Sequence, residues 1–167
     1  MTEYNVHDHR IIATHRIISR DLNDHDTLFG GRLLEIADAE PAVLVSRLAL
    51  RSLATASFDD VQFRHPFTLL DSLTLTATLT GLGNRSAEVF VKVIGQNLRS
   101  GERFLGYTSF NTYVVTDKDF TFPDFTLIGE TEEEKYLIST YEERQAKRKA
   151  ARKEQRDNFL PHITLNS

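Results

Sequence analysis

The sequence predicts an α+β fold in which one long helix lies across one face of an antiparallel sheet. Three observations predict it. β-branched residues crowd a short segment near the start, an apolar helical pattern follows Gly30-Gly31, and from Thr55 onward the hydrophobic period falls to two. A period near 3.6 buries one side of a helix, whereas a period of two buries one face of a strand. One strand, one helix and then a run of strands stack as two layers around a single core. The 167 residues suffice for one such core and little more.

Taken in order, residues 10–19 hold Ile11, Ile12, Ile17 and Ile18 and read as a strand. Arg20 to Thr27, rich in Asp and Asn, reads as a loop. After Gly30-Gly31, apolar Leu33, Ile36, Ala37, Val43 and Leu44 recur at three- and four-residue steps. Leu34, Pro41 and Val45 extend that character round to the side of Asp38, which predicts a helix buried on most sides. Strands are expected at Thr55–Phe67, Leu73–Leu82, Ala87–Asn97 and Phe104–Val115, with turns at Gly81–Asn84 and Ser100-Gly101. Val89, Val91 and Val93 alternate with Phe90, Lys92 and Ile94 as two faces of one strand. Residues 120–129 read as extended. Glu130 to Arg156 reads as one charged helix, solvated or packed on a neighbouring subunit.

Composition removes several function classes. A net charge of -4 gives no general attraction to nucleic acid or anionic membrane. With no cysteine there is no disulfide, thiolate metal site or cysteine nucleophile. The polar N-terminus is neither a leader nor an anchor, and a cytoplasmic protein is expected. Six histidines invite a metal, but His7-Asp8-His9 falls at what reads as a mobile terminus and nothing supplies further ligands, so none is expected. No serine stands in a Gly-x-Ser-x-Gly elbow. The basic run from Arg144 to Arg156 is interrupted by Glu154 and flanked by Glu142, Glu143 and Asp157, and reads as a solvated face.

The chemistry concentrates between Asn23 and Asp38. Two glycines at a helix start let backbone N–H groups approach a ligand and present the positive end of the helix, as an oxyanion hole does. Asp38 follows two turns later beside Leu34, Pro41 and Val45, where partial desolvation would strengthen it as a base. Glu35 and Glu40 read as solvent-facing. Pro41 lacks an N–H, so the carbonyl of Ala37 loses its usual partner and a kink is expected.

Asn23, Leu28-Phe29-Gly30-Gly31 and Asp38, seven positions after the second glycine, resemble the signature of the acyl-CoA thioesterases of the hot-dog superfamily. The resemblance continues in Thr55-Ala56-Ser57, in Val61–Pro66, in Gly83-Asn84-Arg85-Ser86-Ala87-Glu88-Val89 and in Leu98–Arg103, and covers Ile11 to Asp117. It implies a hot-dog domain over residues 1–120, with residues 121–167 as a C-terminal extension carrying the charged helix. It implies hydrolysis of acyl-CoA without a cofactor, coenzyme A being part of the substrate. Asp38 would act as general base or nucleophile, Gly31 with Gly30 as oxyanion hole, and Asn23 and Thr27 as orienting residues. Phe29 and His25 would touch substrate, and Gly83, Asn84, Arg85 and Ser86 would meet the nucleotide and phosphates. It further implies a homodimer with sites at its interface, in larger assemblies often a trimer of dimers. Two departures stand out: Asp26 where glycine is usual, and Asn84 pushing Arg85 along by one position. A non-catalytic acyl-CoA sensor and an acyl carrier protein thioesterase are the alternatives; the first is disfavoured by the lack of a DNA-binding segment, the second by the net charge.

Overall fold

The computed structural model describes residues 2–166. Strand β1 (Thr2–Asn5) and a single-turn helix α1 (Val6–His9) precede strand β2 (Ile11–Arg16). The long helix α2 (Gly30–Ala49) leads to β3 (Leu53–Phe63), β4 (Asp71–Leu82), β5 (Ser86–Asn97) and β6 (Arg103–Val115). Then come β7 (Phe125–Ile128), α3 (Glu132–Ser139) and α4 (Tyr141–Glu154). Strands β2 to β6 form one antiparallel sheet in the order β2-β4-β5-β6-β3.

The period-two pattern explains the two faces. Leu73, Leu75, Ala77 and Leu79 of β4 and Ala87, Val89, Val91 and Val93 of β5 are fully buried beside Leu33, Ile36, Ala37, Leu44 and Val45 of α2. That shared apolar surface is the main stabilising layer. On the other face, Glu88 is fully buried although charged. Its carboxylate accepts hydrogen bonds from the Arg144 guanidinium of α4 at 2.8 Å and 3.0 Å, and pairs with Arg148 as well. The Tyr141 ring opens α4 by lying flat on Gly81 of β4, where any side chain would meet it at 2.1 Å.

Several expectations need correction. The first two strands of the main sheet are shorter than their β-branched runs: β2 ends at Arg16 and β3 at Phe63, because the chain leaves the ladder to reach the loop and Phe67. The N-terminus is tied down, since β1 pairs in parallel with β7 and His7 Nδ1 lies 2.8 Å from the buried Glu134. Burial pushes the Glu134 carboxyl up, but the backbone N–H of Thr131, His7 and the N–H of Glu130 outweigh it and hold it below the usual range. The expected single C-terminal helix is two, broken at Thr140 with no Gly or Pro to mark it. Nor is its basic run wholly solvated, because Arg144 and Arg148 are only 14% and 12% exposed against Glu88. Helix α2 is buried on one side only: Gly31, Glu35, Ala39, Val43, Ser46 and Arg47 face outward in the single chain, as does Leu50 just past its end.

Candidate active site

The loop before α2 is shaped by Asn23. Its side-chain oxygen accepts from the N–H groups of His25 at 2.9 Å and Thr27 at 3.1 Å, and its amide donates to the Thr27 hydroxyl at 3.0 Å. Asp26 sits at φ +59°, in the left-handed region where glycine is least strained, so its position explains why a glycine would be usual there. His25 is exposed, 3.7 Å from Asp24. The loop closes with the N–H of Leu28 on the Phe67 carbonyl and the N–H of Phe29 on the Asp21 carbonyl.

Helix α2 then begins with an open end. Its N-cap residue, Phe29, offers no side-chain cap, so the first-turn N–H groups of Gly30 and Gly31 receive no side-chain acceptor from it. The Phe29 ring folds over Gly31, where a Cβ would stand 2.5 Å from it, so a side chain there would push the exposed ring aside. Beside this end lies a cavity of about 320 Å³ lined chiefly by Leu28, Gly30, Leu33, Phe63, Pro66 and Phe67.

Asp38 is half-buried, and its Oδ1 accepts the Thr55 hydroxyl of β3 at 2.8 Å. Neither Arg32 nor Arg47 is its ion-pair partner; Arg32 instead pairs with Asp21 and Glu35. Glu35 is exposed as expected, but Glu40 is half-buried, 3.3 Å from His15 Nε2. The backbone under Asp38 is held from the sheet. Asn111 of β6 donates to the Ala37 carbonyl at 2.6 Å, the acceptor that Pro41 leaves without a partner. Tyr113 donates to the Asp38 carbonyl at 2.9 Å, and Asn111 also donates to the Tyr113 oxygen at 3.1 Å. Ser109 donates to Asn111 Oδ1 at 2.7 Å, which completes the network. Burial raises the Tyr113 hydroxyl well above the usual tyrosine range, so it stays a donor.

Pro41 predicted an orphan carbonyl but could not say which residue would meet it, and Thr55 stood in a matched motif without a role. Asn111→Ala is expected to cost about 1–3 kcal/mol, because a buried acceptor is left unmade. In a Pro41→Ala background the restored N–H should take over the Ala37 carbonyl and shrink that cost. Denaturant midpoints of the four proteins in the cycle check this, and simple additivity would refute it.

The remaining site residues are elsewhere. The hairpin at Gly83–Ser86 joins β4 to β5, with the Gly83 N–H on the Ser86 carbonyl at 2.7 Å. Arg85 reaches toward the carbonyls of Val115 and Asp117, and Asn84 is exposed. Ser86 is in register with Val114, whereas Phe63, beside Gly30, is in register with Tyr107. The seven residue steps from Tyr107 to Val114 span about 23 Å, so the hairpin and the helix start lie at opposite ends of the sheet in one chain. Among the described residues no three His, Asp or Glu side chains gather as a metal site, and no helix is long and apolar enough to cross a membrane.

Known proteins share this fold. The sequence pattern of the thioesterase superfamily matches residues 25–102. An uncharacterized acyl-CoA thioester hydrolase of Bacillus subtilis, YkhA, is 40% identical over 141 residues, covering 84% of this chain and 82% of that protein. The chain belongs to the thioesterase superfamily. Among solved members, an apo-hexameric acyl-CoA thioesterase is 35% identical with a TM-score of 0.82, covering 90% of this chain and 97% of its own. An acyl-CoA hydrolase from Staphylococcus aureus, in complex with butyryl coenzyme A, coenzyme A and coenzyme A disulfide, is 26% identical with a TM-score of 0.84, covering 95% and 97%. Two further structures of that enzyme, each 25% identical to this chain, carry alanine in place of a threonine and of an asparagine 32 positions apart. The thioesterase fold is therefore the hot-dog fold, with α2 as the helix and β2 to β6 as the sheet around it.

Proposed function

We propose that this thioesterase hydrolyses acyl-CoA to a fatty acid and free coenzyme A, with Asp38 as the reacting carboxylate. The observation that carries the reading is the Asp38–Thr55 pair at 2.8 Å. It fixes a solvent-reachable carboxylate on a helix whose uncapped start offers N–H groups to an oxyanion. Asn23 and Thr55 here have the same separation as the asparagine and threonine replaced in the Staphylococcus aureus enzyme. Asp38 takes the proton of a water whose oxygen bonds to the thioester carbonyl, or attacks that carbonyl itself to give an anhydride that water then cleaves, while the carbonyl oxygen takes charge at the N–H of Gly31. The coenzyme A sulfur leaves with the bonding pair.

One chain is insufficient for this. Gly31 and Asp38 share a face of α2 but stand about 10 Å apart along its axis, whereas one thioester carbonyl must lie within roughly 3 Å of both groups. Among the described residues the edge strand β3 lacks a partner on one side, and the outward face of α2 carries Ala39 and Val43, with Leu50 just past its end. Antiparallel pairing of two β3 edges would cover these residues and reverse one chain against the other. The partner's Gly31 then comes toward Asp38, and the partner's hairpin at Gly83–Ser86 moves to the end of the joined sheet that holds Gly30. A homodimer is thus the smallest active unit, consistent with a hexameric relative. The cavity beside Gly30 is the place for the apolar part of the substrate.

The test is steady-state thiol release from a panel of short- to long-chain acyl-CoAs. Wild type is expected to turn over at least one class. Thr55→Ala is expected to lose about tenfold or more in kcat at little change in KM, since it removes orientation and not contact area. Tight binding of acyl-CoA with no thiol released by wild type would replace the enzyme with a sensor.

A further inference from the structure

Helix α4 crosses the outer face of the sheet one strand at a time. Tyr141 lies on Gly81 of β4, Arg144 and Arg148 hold Glu88 of β5, and Arg144 stacks over the Phe110 ring of β6 at 4.4 Å. Further along, Ala151, Arg152 and Gln155 form one wall of a groove of about 440 Å³ whose other wall is Ala56 to Asp60 of β3. In the order β4-β5-β6-β3 the sheet ends there, but the chain does not. Helical turns continue through Gln155–Phe159 and Leu160–His162. Seven more helical residues advance about 10 Å, the width of two strands, past the last strand of the sheet.

The overhanging part is the wrong composition for solvent. Phe159, Leu160, Ile163 and Leu165 are 56%, 54%, 54% and 102% exposed within residues 156–166. Four large apolar side chains grouped on a projecting segment mark a surface meant to be covered. The direction of α4 says by what. The next surface beyond β3 exists only when another sheet continues there; of the two free edges, β2 and β3, a second β3 is the one whose pairing closes about a two-fold axis, whereas β3 on β2 would leave edges open.

We propose that residues 156–166 form an arm that crosses the β3 seam and packs on the second copy of this chain, against the outer face of its sheet or its α4. The arm rests on the β3-to-β3 dimer proposed above and adds to it a reciprocal clasp, one from each chain. The Arg144–Glu88–Arg148 cluster gives the arm its aim, because it fixes the angle at which α4 leaves the sheet.

The chain has no cysteine, so one can be placed without background. Ile163→Cys labelled with a benzophenone maleimide is irradiated at low protein concentration, and the products are sized under denaturing conditions and mapped by mass spectrometry. A covalently doubled chain with the adduct on the other copy's β3 to β6 or α4 is the expected result. In sedimentation, the Phe159→Asp, Leu160→Asp variant should dissociate at least tenfold more readily than wild type while melting as a folded protein. Adducts confined within one chain, or unchanged association of the charged variant, overturn the arm in a sample that sediments as an oligomer. A wild type that sediments as a monomer at all concentrations overturns the β3 dimer itself, and the arm with it.

Discussion

Asp38→Ala is expected to lower kcat/KM for acyl-CoA by about a hundredfold or more, with the protein still folded. The two halves of that expectation have separate causes. Activity falls because the group that takes the water proton, or attacks the carbonyl, is gone while the helix start remains. Stability survives because the half-buried carboxylate is paired with a hydroxyl and not with a buried cation, so its loss leaves no stranded charge. The Thr55 side chain is exposed and can turn to water. The backbone at Asp38 is still held through its own carbonyl by Tyr113 and through that of Ala37 by Asn111. Asp38→Asn sharpens the test: it can still accept the Thr55 hydrogen bond but cannot take a proton at neutral pH. If both variants are inactive in thiol release, the carboxylate acts chemically. Asn restoring most of the rate would reduce Asp38 to a positioning role.

Glu88→Ala is expected to destabilise the fold by about 3–5 kcal/mol, the cost of breaking a buried ion pair from one side. Glu88 is 1% exposed and accepts from Arg144, Arg148 and the Thr80 hydroxyl. Without it two largely buried guanidinium groups face each other under α4, with Asp59, 3.9 Å from Arg148, as the remaining counter-charge. The sign reverses when the whole cluster is exchanged: leucine at Glu88, Arg144 and Arg148 together should recover most of the loss, because no charge is then desolvated. Urea midpoints at constant m-value read both results. A loss under about 1 kcal/mol for Glu88→Ala would mean that water reaches the cluster and that α4 is not anchored there. The same variant bears on association, since an unanchored α4 cannot direct residues 156–166 over the β3 edge.

How far the chain could be read before folding follows from how local each signal is. Helix α2 and strands β4, β5 and β6 were legible to within a few residues, because a period of 3.6 or two over ten or more positions is a property of neighbours in sequence. The helix start at Gly30-Gly31 and the placement of Asp38 two turns later were legible for the same reason. β1 was not, since its strand partner, β7, lies more than a hundred residues away and four residues carry no period. The break at Thr140 was missed because no Gly or Pro marks it.

The polar residues divide in the same way. Pro41 announced an unmet carbonyl, a consequence of covalent structure alone; that Asn111 would meet it depends on which residue of β6 passes beneath the kink. Glu88 alternates with Val89, so it falls on the outer face, where a carboxylate ordinarily meets water. It is buried because α4 folds back over it with two arginines, a long-range event that leaves no trace in the local pattern. Nearest-neighbour chemistry thus specified the elements and the candidate carboxylate. Packing between distant segments assigned each buried polar group its partner, and placed the helix start and the Gly83–Ser86 hairpin at opposite ends of one sheet.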